Sequence, residues 1–258
     1  MKKKLILLDI DGTVFDNNNR CIHPSTITAI KEAKANGHEI VIATGRAYFM
    51  LYAITEIMPL INHFILINGQ HVISNNDVIY EDTIKVETME EITSTLKDMN
   101  ITYGFQSAYA EAISDINDKV KETFIEMNLN LPPRNSSFYT EEKVYQMWCF
   151  CSPEEAVVLR GKFPTFEFIK WMSEGYDIIK KGQSKGKGLI KLINHLGFDL
   201  ADTISIGDGD NDIELSKTAG IGIAMGNATN ALKAVSDYVT DDIDKDGLYN
   251  ALKHFEII

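Results

Sequence analysis

Two aspartates one residue apart, Asp9 and Asp11, separate an apolar run from a glycine turn in Leu5-Ile6-Leu7-Leu8-Asp9-Ile10-Asp11-Gly12-Thr13. Carboxylates this close repel, and one is driven towards its protonated form unless a cation or hydrogen-bond donors compensate. The pair therefore suits a metal. Asp-Ile-Asp-Gly also describes a surface turn, since Asp and Gly are ordinary turn formers. A second burst of acids, Ile206-Gly207-Asp208-Gly209-Asp210-Asn211-Asp212, follows another short apolar run. If the two strands are neighbours, Asp208 falls beside Asp9 and Asp11, and hard oxygen donors with room for water describe a magnesium site. A calcium loop starting at Asp208 is excluded, because Ile213 stands where glycine is needed and Ala219 where the bidentate glutamate belongs.

Two further stretches suit phosphate. In Thr44-Gly45-Arg46 a hydroxyl and the free N–H groups of a turn entering a helix can hold phosphoryl oxygens. The tripeptide reads equally as a helix N-cap followed by a surface arginine. Gly182-Gln183-Ser184-Lys185-Gly186-Lys187-Gly188 puts lysines at a helix start, where cations oppose the macrodipole. It is not a Walker A loop: the spacing is one residue short, and Gly188 replaces the required Ser or Thr.

The elements that position these residues follow from periodicity. Four apolar residues before Asp9 predict a strand buried on both faces, as in a parallel sheet, with the acids at its carboxyl end where ligands bind. A helix over 26–36 closed by Gly37, a strand over 39–43, a helix over 47–58 stopped by Pro59 and a strand over 64–67 continue a β-α-β-α-β order with right-handed crossovers. His71–Ser74 and Val78–Tyr80 read as a hairpin. Helices over 89–100, 117–128 and 153–162, alternating with short strands, then predict an α+β unit over 83–182. From Ser184 the α/β rhythm resumes with helix 185–196, strand 203–206, helix 211–217 and strand 221–224. The expectation is a discontinuous doubly wound, Rossmann-like parallel-sheet domain, residues 1–82 with 183–258, carrying an inserted α+β domain.

Composition narrows the function. Hydrophobic residues make up 45% of the 258, enough for real cores. The formal net charge of -12, from 37 acidic and 25 basic residues, opposes nucleic acid and anionic membrane surfaces. Cys21, Cys149 and Cys151 form no CxxC pair, which suits a reducing cytoplasm. No window approaches a membrane span, and the acids interrupt the apolar stretch after Lys2-Lys3-Lys4 too soon for a signal peptide.

Four motifs in order carry a resemblance: Asp9-x-Asp11-Gly12-Thr13, a strand-end Thr44, Lys185 in Ser-Lys-Gly, and Gly207-Asp208-x-x-Asn211-Asp212. The chain resembles the haloacid dehalogenase-like (HAD) phosphohydrolases, in their Cof-type, class IIB branch, with the insert between the second and third motifs. Gln70 and Glu214-Leu215 depart from the branch's usual residues, away from the chemistry. The resemblance implies a phosphatase for small phosphorylated metabolites, such as sugar phosphates, and an inserted cap. By it, Asp9 is the nucleophile and forms an aspartyl-phosphate, while Asp11 protonates the leaving oxygen and then activates water. Mg²⁺ is held by Asp9, the backbone carbonyl of Asp11 and Asp208. Thr44, Lys185 and Asn211 hold the transferring oxygens, with Gly45 and Arg46 close by, and Asp212 orients the loop or Lys185. A phosphomutase using the same intermediate and a non-catalytic phosphate-binding module are the alternatives.

Overall fold

Leu5–Leu8 is apolar at every position because layers cover both of its faces, and none of its four side chains reaches solvent. The computed structural model describes residues 2–126 and 130–258. In chain order the strands are β1 (Leu5–Leu8), β2 (Glu39–Ala43), β3 (His63–Leu66), β4 (His71–Ser74), β5 (Asp77–Glu81), β6 (Thr102–Gln106), β7 (Glu111–Ile113), β8 (Gln146–Phe150), β9 (Phe166–Lys170), β10 (Gly175–Lys180), β11 (Thr203–Gly207), β12 (Ile221–Ala224) and β13 (Tyr238–Val239). The α-helices are α1 (Pro24–Ala35), α2 (Val86–Asp98), α3 (Asp118–Glu126), α4 (Pro153–Lys162), α5 (Lys185–Leu196), α6 (Ile213–Thr218), α7 (Asn230–Lys233) and α8 (Gly247–His254). Among the described residues no helix is long and apolar enough to cross a membrane.

The chain forms two compact units, one up to Glu81 together with Ser184–Ile258, the other Asp82–Gln183. The first is built on an eight-stranded sheet in the order β13-β12-β11-β1-β2-β3-β4-β5, parallel from β13 to β3 and closed by the antiparallel hairpin β4–β5. Alternation sends Leu5 and Leu7 to one face, where they meet Leu189, Leu192 and Ile193 of α5 and Leu215 of α6. Helix α1 packs against β2 and α8. This is the doubly wound, Rossmann-like fold that the β-α-β rhythm predicts. Chain order runs away from β1 in opposite directions, to β2 on one side and β11 on the other, so the topological switch point lies at β1, beside the ends that carry Asp9 and Asp208.

The second unit is an antiparallel sheet of five strands in the order β7-β6-β8-β10-β9. Met89, Ile92 and Leu96 of α2 and Ala156 and Leu159 of α4 share a core with one face of that sheet, while Val120 and Phe124 of α3 pack with Trp148 and Phe150.

Two local expectations change. The helix expected over 47–58 is two 3-10 segments, Tyr48–Ile54 and Met58–Leu60. Ala47 offers no side-chain cap there, and the Met50 carbonyl accepts from the Arg46 guanidinium at 2.9 Å, so it serves that side chain as well as the helix. The helix expected from Asn211 begins as a 3-10 turn, Asp210–Asp212, because the Asp212 carboxylate folds back onto the Asp208 and Gly209 N–H groups at 3.2 and 3.1 Å. The helix expected over 117–128 is described as Asp118–Glu126, and residues 127 and 128 lie outside the described residues.

The loop after Asp11 is fixed by one carboxylate. Asp16 accepts from the N–H groups of Asn18 and Asn19 at 2.9 and 3.1 Å, from Asn19 Nδ2 at 2.7 Å, and faces His23 Nε2 at 2.9 Å. The His23 bond and then the Asn19 bonds hold its carboxyl down at about 2. A depressed carboxyl stabilises the fold above the unfolded value of about 3.9 and loses that contribution as pH falls through the folded value. Asp16→Asn is therefore expected to unfold at lower urea than the native protein at pH 7, with the gap closing on acidification towards pH ~2. A pH-independent gap contradicts this role.

Candidate active site

Register brings the sequence stretches together. Leu8 pairs with Ile206 of β11 and with Ile42 of β2, so the next residues of all three strands emerge side by side. The Asp9 N–H donates to the Ile206 carbonyl at 3.0 Å, and the Thr44 N–H to Ile65 at 2.8 Å. Lys185 is the first residue of α5, after the N-cap Ser184. Its side chain is 0% exposed, with Nζ 2.6 Å from Asp9 Oδ1 and 2.7 Å from Asp212 Oδ1. The other oxygen of Asp212 accepts the Asp208 and Gly209 N–H groups, so this carboxylate ties the lysine to the β11 loop.

Asp208 meets Gly12 and Thr13 from the first motif. The Thr13 hydroxyl donates to Asp208 Oδ1 at 3.3 Å. Gly12 has φ +80°, and a Cβ there would lie 2.1 Å from Asp208 Oδ2. Only glycine gives the turn and leaves the carboxylate its place. Asn227 Nδ2 donates to the Gly12 carbonyl at 2.8 Å, a support that nothing around Asn227 in the sequence signals.

Asp11 and Arg46 form a two-point ion pair, Nε to Oδ2 at 2.8 Å and Nη2 to Oδ1 at 2.7 Å. Arg46 is thus bound to the second aspartate, a partnership that neither motif alone announces. Its backbone N–H donates to Thr44 Oγ1 at 3.1 Å, which orients that buried hydroxyl. The Asn68 N–H donates to the Thr44 carbonyl at 3.1 Å, and Asn211 Nδ2 reaches Asn68 Oδ1 at 3.5 Å. Gly45 lies against the Asn68 side chain.

The electrostatics ask for more positive charge. Burial pushes the Asp9 carboxyl up to about 7; Lys185 opposes the rise, and Asp212 and Asp208 add to it. Burial and then Asp212 push Asp208 up to about 6. Burial opposes the charge on Lys185, but Asp9 and Asp212 outweigh it and hold the lysine above its usual value. Asp9, Asp208 and Asp212 each offer an oxygen within 4.8 Å of the others. Three converging carboxylates against one ammonium are a donor set that fits a hard divalent cation. Asp212 is already engaged through both oxygens, so Asp9 and Asp208 are the side chains left to hold it.

A family model described as haloacid dehalogenase-like hydrolase matches residues 6–252. The chain belongs to this family. Within it, this HAD protein is 32% identical to YkrA of Bacillus subtilis (strain 168) over 260 residues, spanning all of both chains. A crystal structure of a Geobacillus kaustophilus HTA426 protein superposes with a TM-score of 0.95 at 32% identity, covering 99% of this chain and 100% of that one. A HAD subclass IIB sugar phosphatase superposes with a TM-score of 0.84 at 34% identity, covering 99% and 100%. The family is the one that the four motifs indicate, and the HAD protein is an enzyme of the phosphatase class.

Removing the buried ammonium leaves two buried carboxylates without their partner. Lys185→Met is therefore expected to destabilise the chelator-treated protein by about 3–5 kcal/mol in urea unfolding at pH 7. A loss below ~1 kcal/mol contradicts the coupling drawn here.

Proposed function

We propose that this HAD protein is a Mg²⁺-dependent phosphatase that hydrolyses small phosphorylated metabolites, sugar phosphates or related phosphomonoesters, through a phosphoryl group carried on Asp9. The observation that carries the proposal is the buried Asp9–Lys185–Asp212 triad, with Asp208 beside it, at the switch point of the sheet. The sugar phosphatase whose fold this chain shares supports the substrate class.

Lys185 holds Asp9 Oδ1, which leaves Oδ2 to attack phosphorus. A lysine has three N–H bonds, and two are spent on Asp9 and Asp212, so the third can take a phosphoryl oxygen. The Thr44 hydroxyl accepts from Arg46 and keeps its own proton for a second oxygen. The Gly45 N–H and the Asn211 amide complete the donors. Donors fixed before the reaction are worth most where charge develops. Asp9, the Asp11 backbone carbonyl and Asp208 would hold Mg²⁺, which would supply positive charge for a phosphoryl dianion to approach the carboxylate nucleophile.

Asp11 protonates the leaving oxygen and afterwards takes a proton from the attacking water. Both of its carboxylate oxygens are taken up by the Arg46 guanidinium. Proton uptake requires the guanidinium to turn to another anion, and the arriving phosphoryl group is one. Asp212 acts through Lys185 and the β11 loop, as a positioning residue.

The test is phosphate release from p-nitrophenyl phosphate and a panel of sugar phosphates with Mg²⁺. Native protein is expected to turn over members of the panel and to stop when chelator is added. Asp9→Asn is expected to lose on the order of 10³-fold or more. Near-native turnover by folded Asp9→Asn, or activity indifferent to chelator, overturns the mechanism.

A further inference from the structure

The five-stranded sheet of the inserted unit has one face filled by core side chains, among them Tyr103 and Phe105 of β6, Met147 and Cys149 of β8, and Tyr176 and Ile178 of β10. The alternate residues form the other face. By register one row across it is Ile113, Gly104, Trp148, Asp177 and Ile169, and the next is Glu111, Gln106 and Gln146. Helix α3 covers the first row from the Trp148 side with Val120 and Phe124. A Cβ on Gly104 would lie 2.1 Å from the Trp148 ring, so the indole lies across β6 and makes an apolar border to the second row.

That second row is polar where a sheet interior is normally apolar. Gln106 and Gln146 are 7% and 8% exposed. Gln146 Nε2 donates to Gln106 Oε1 at 3.0 Å, and Gln106 Nε2 has no partner among the described residues. Turning both amides over reverses the bond and leaves Gln106 with an orphan acceptor in place of the orphan donor. Asp177, diagonal to Gln146 across the β8–β10 pair, and Glu111, opposite Gln106, have neither a hydrogen-bond partner nor a counter-charge among the described residues. Burial raises both carboxyls, Asp177 to about 7. Buried polar groups are as a rule satisfied, so an orphan amide between two uncompensated acids marks a place that a ligand completes.

The chemistry of that ligand follows from the groups. An anion is repelled by Asp177 and Glu111, and an apolar group leaves the amide unmet. A hydroxyl both donates and accepts, and serves carboxyl and carboxamide alike. We propose that Gln106, Gln146 and Asp177, flanked by Glu111, form a binding site for an uncharged hydroxyl-rich group, a sugar or polyol. Such a group comes either from the organic half of the phosphorylated substrate, in which case the inference rests on the phosphatase reading, or from a free sugar or polyol.

The experiment uses the full chain with Mg²⁺, comparing native protein with Gln106→Leu and with Asp177→Asn, the latter keeping side-chain shape should the former fail to fold. Two readouts run together: kcat/KM for glucose 6-phosphate, ribose 5-phosphate and p-nitrophenyl phosphate, and ligand-observed NMR binding of glucose, ribose, sorbitol and, as a cationic control, spermidine. For the substrate source, the ratio of kcat/KM for the better sugar phosphate to that for the aryl ester is expected to fall at least about ten-fold in the variants, mostly through KM. For the free-ligand source, the NMR signal of a sugar or polyol is expected to vanish in the variants while that ratio holds. An unaltered ratio with no variant-sensitive sugar or polyol signal overturns the site, as does variant-sensitive binding of spermidine instead. Should native protein hydrolyse none of the esters, the phosphatase reading fails, and the NMR arm alone decides the site.

Discussion

One buried ammonium organises the catalytic unit. Lys185 is fully enclosed, at the first turn of α5, where the helix dipole disfavours a cation. It is tolerated there because Asp9 from the end of β1 and Asp212 from the loop after β11 approach within 2.6 and 2.7 Å. A buried ion group of this kind contributes little net stability, since desolvation offsets most of the attraction, but breaking it is expensive. The register of β1 against β11, the entry of α5 and the turn at Gly207–Asp212 must therefore all be correct together. The constraint also defines a site. Three carboxylates against one lysine leave an electron-rich cradle with Asp9 and Asp208 raised, a donor set that fits a divalent cation.

A second ion pair divides the two acids of the first motif. Asp9 points to Lys185 and Asp11 to Arg46, so residues adjacent but one in sequence enter different electrostatic surroundings. Gly12 makes this possible, with a left-handed backbone that also clears space for Asp208. One carboxylate bound to a buried lysine and the other to an arginine is the asymmetry on which the proposed nucleophile and acid–base roles rest.

Much of this was legible in the residues. An unbroken apolar run ending in acids reads as a doubly covered strand with its polar groups at the rim, and both such runs, before Asp9 and before Asp208, lie side by side in the sheet. Lysine at a helix start, against the dipole, drew attention to Lys185, but its place between the Asp9 and Asp212 carboxylates is a finding of the fold. What was not legible depends on side chains meeting across elements. The Arg46–Asp11 pair joins the ends of β1 and β2, and its hold on the Met50 carbonyl accompanies a 3-10 segment where periodicity alone favoured an α-helix. Asn227 supports Gly12 from a loop whose composition is that of any turn. The polar row of the inserted sheet is hidden for a related reason: Gln106 and Gln146 are 40 residues apart and become neighbours only through strand order.

The account turns on Asp9 becoming phosphorylated while Lys185 holds its other oxygen. The most direct measurement is to quench the enzyme in acid during turnover of its best substrate, reduce with borohydride, and map the protein by peptide mass spectrometry. Reduction of an acyl phosphate converts an aspartate to homoserine, and the account expects homoserine at position 9 and at no other aspartate. Homoserine at position 11 or 208, or none at all in an enzyme releasing phosphate at full rate, contradicts it.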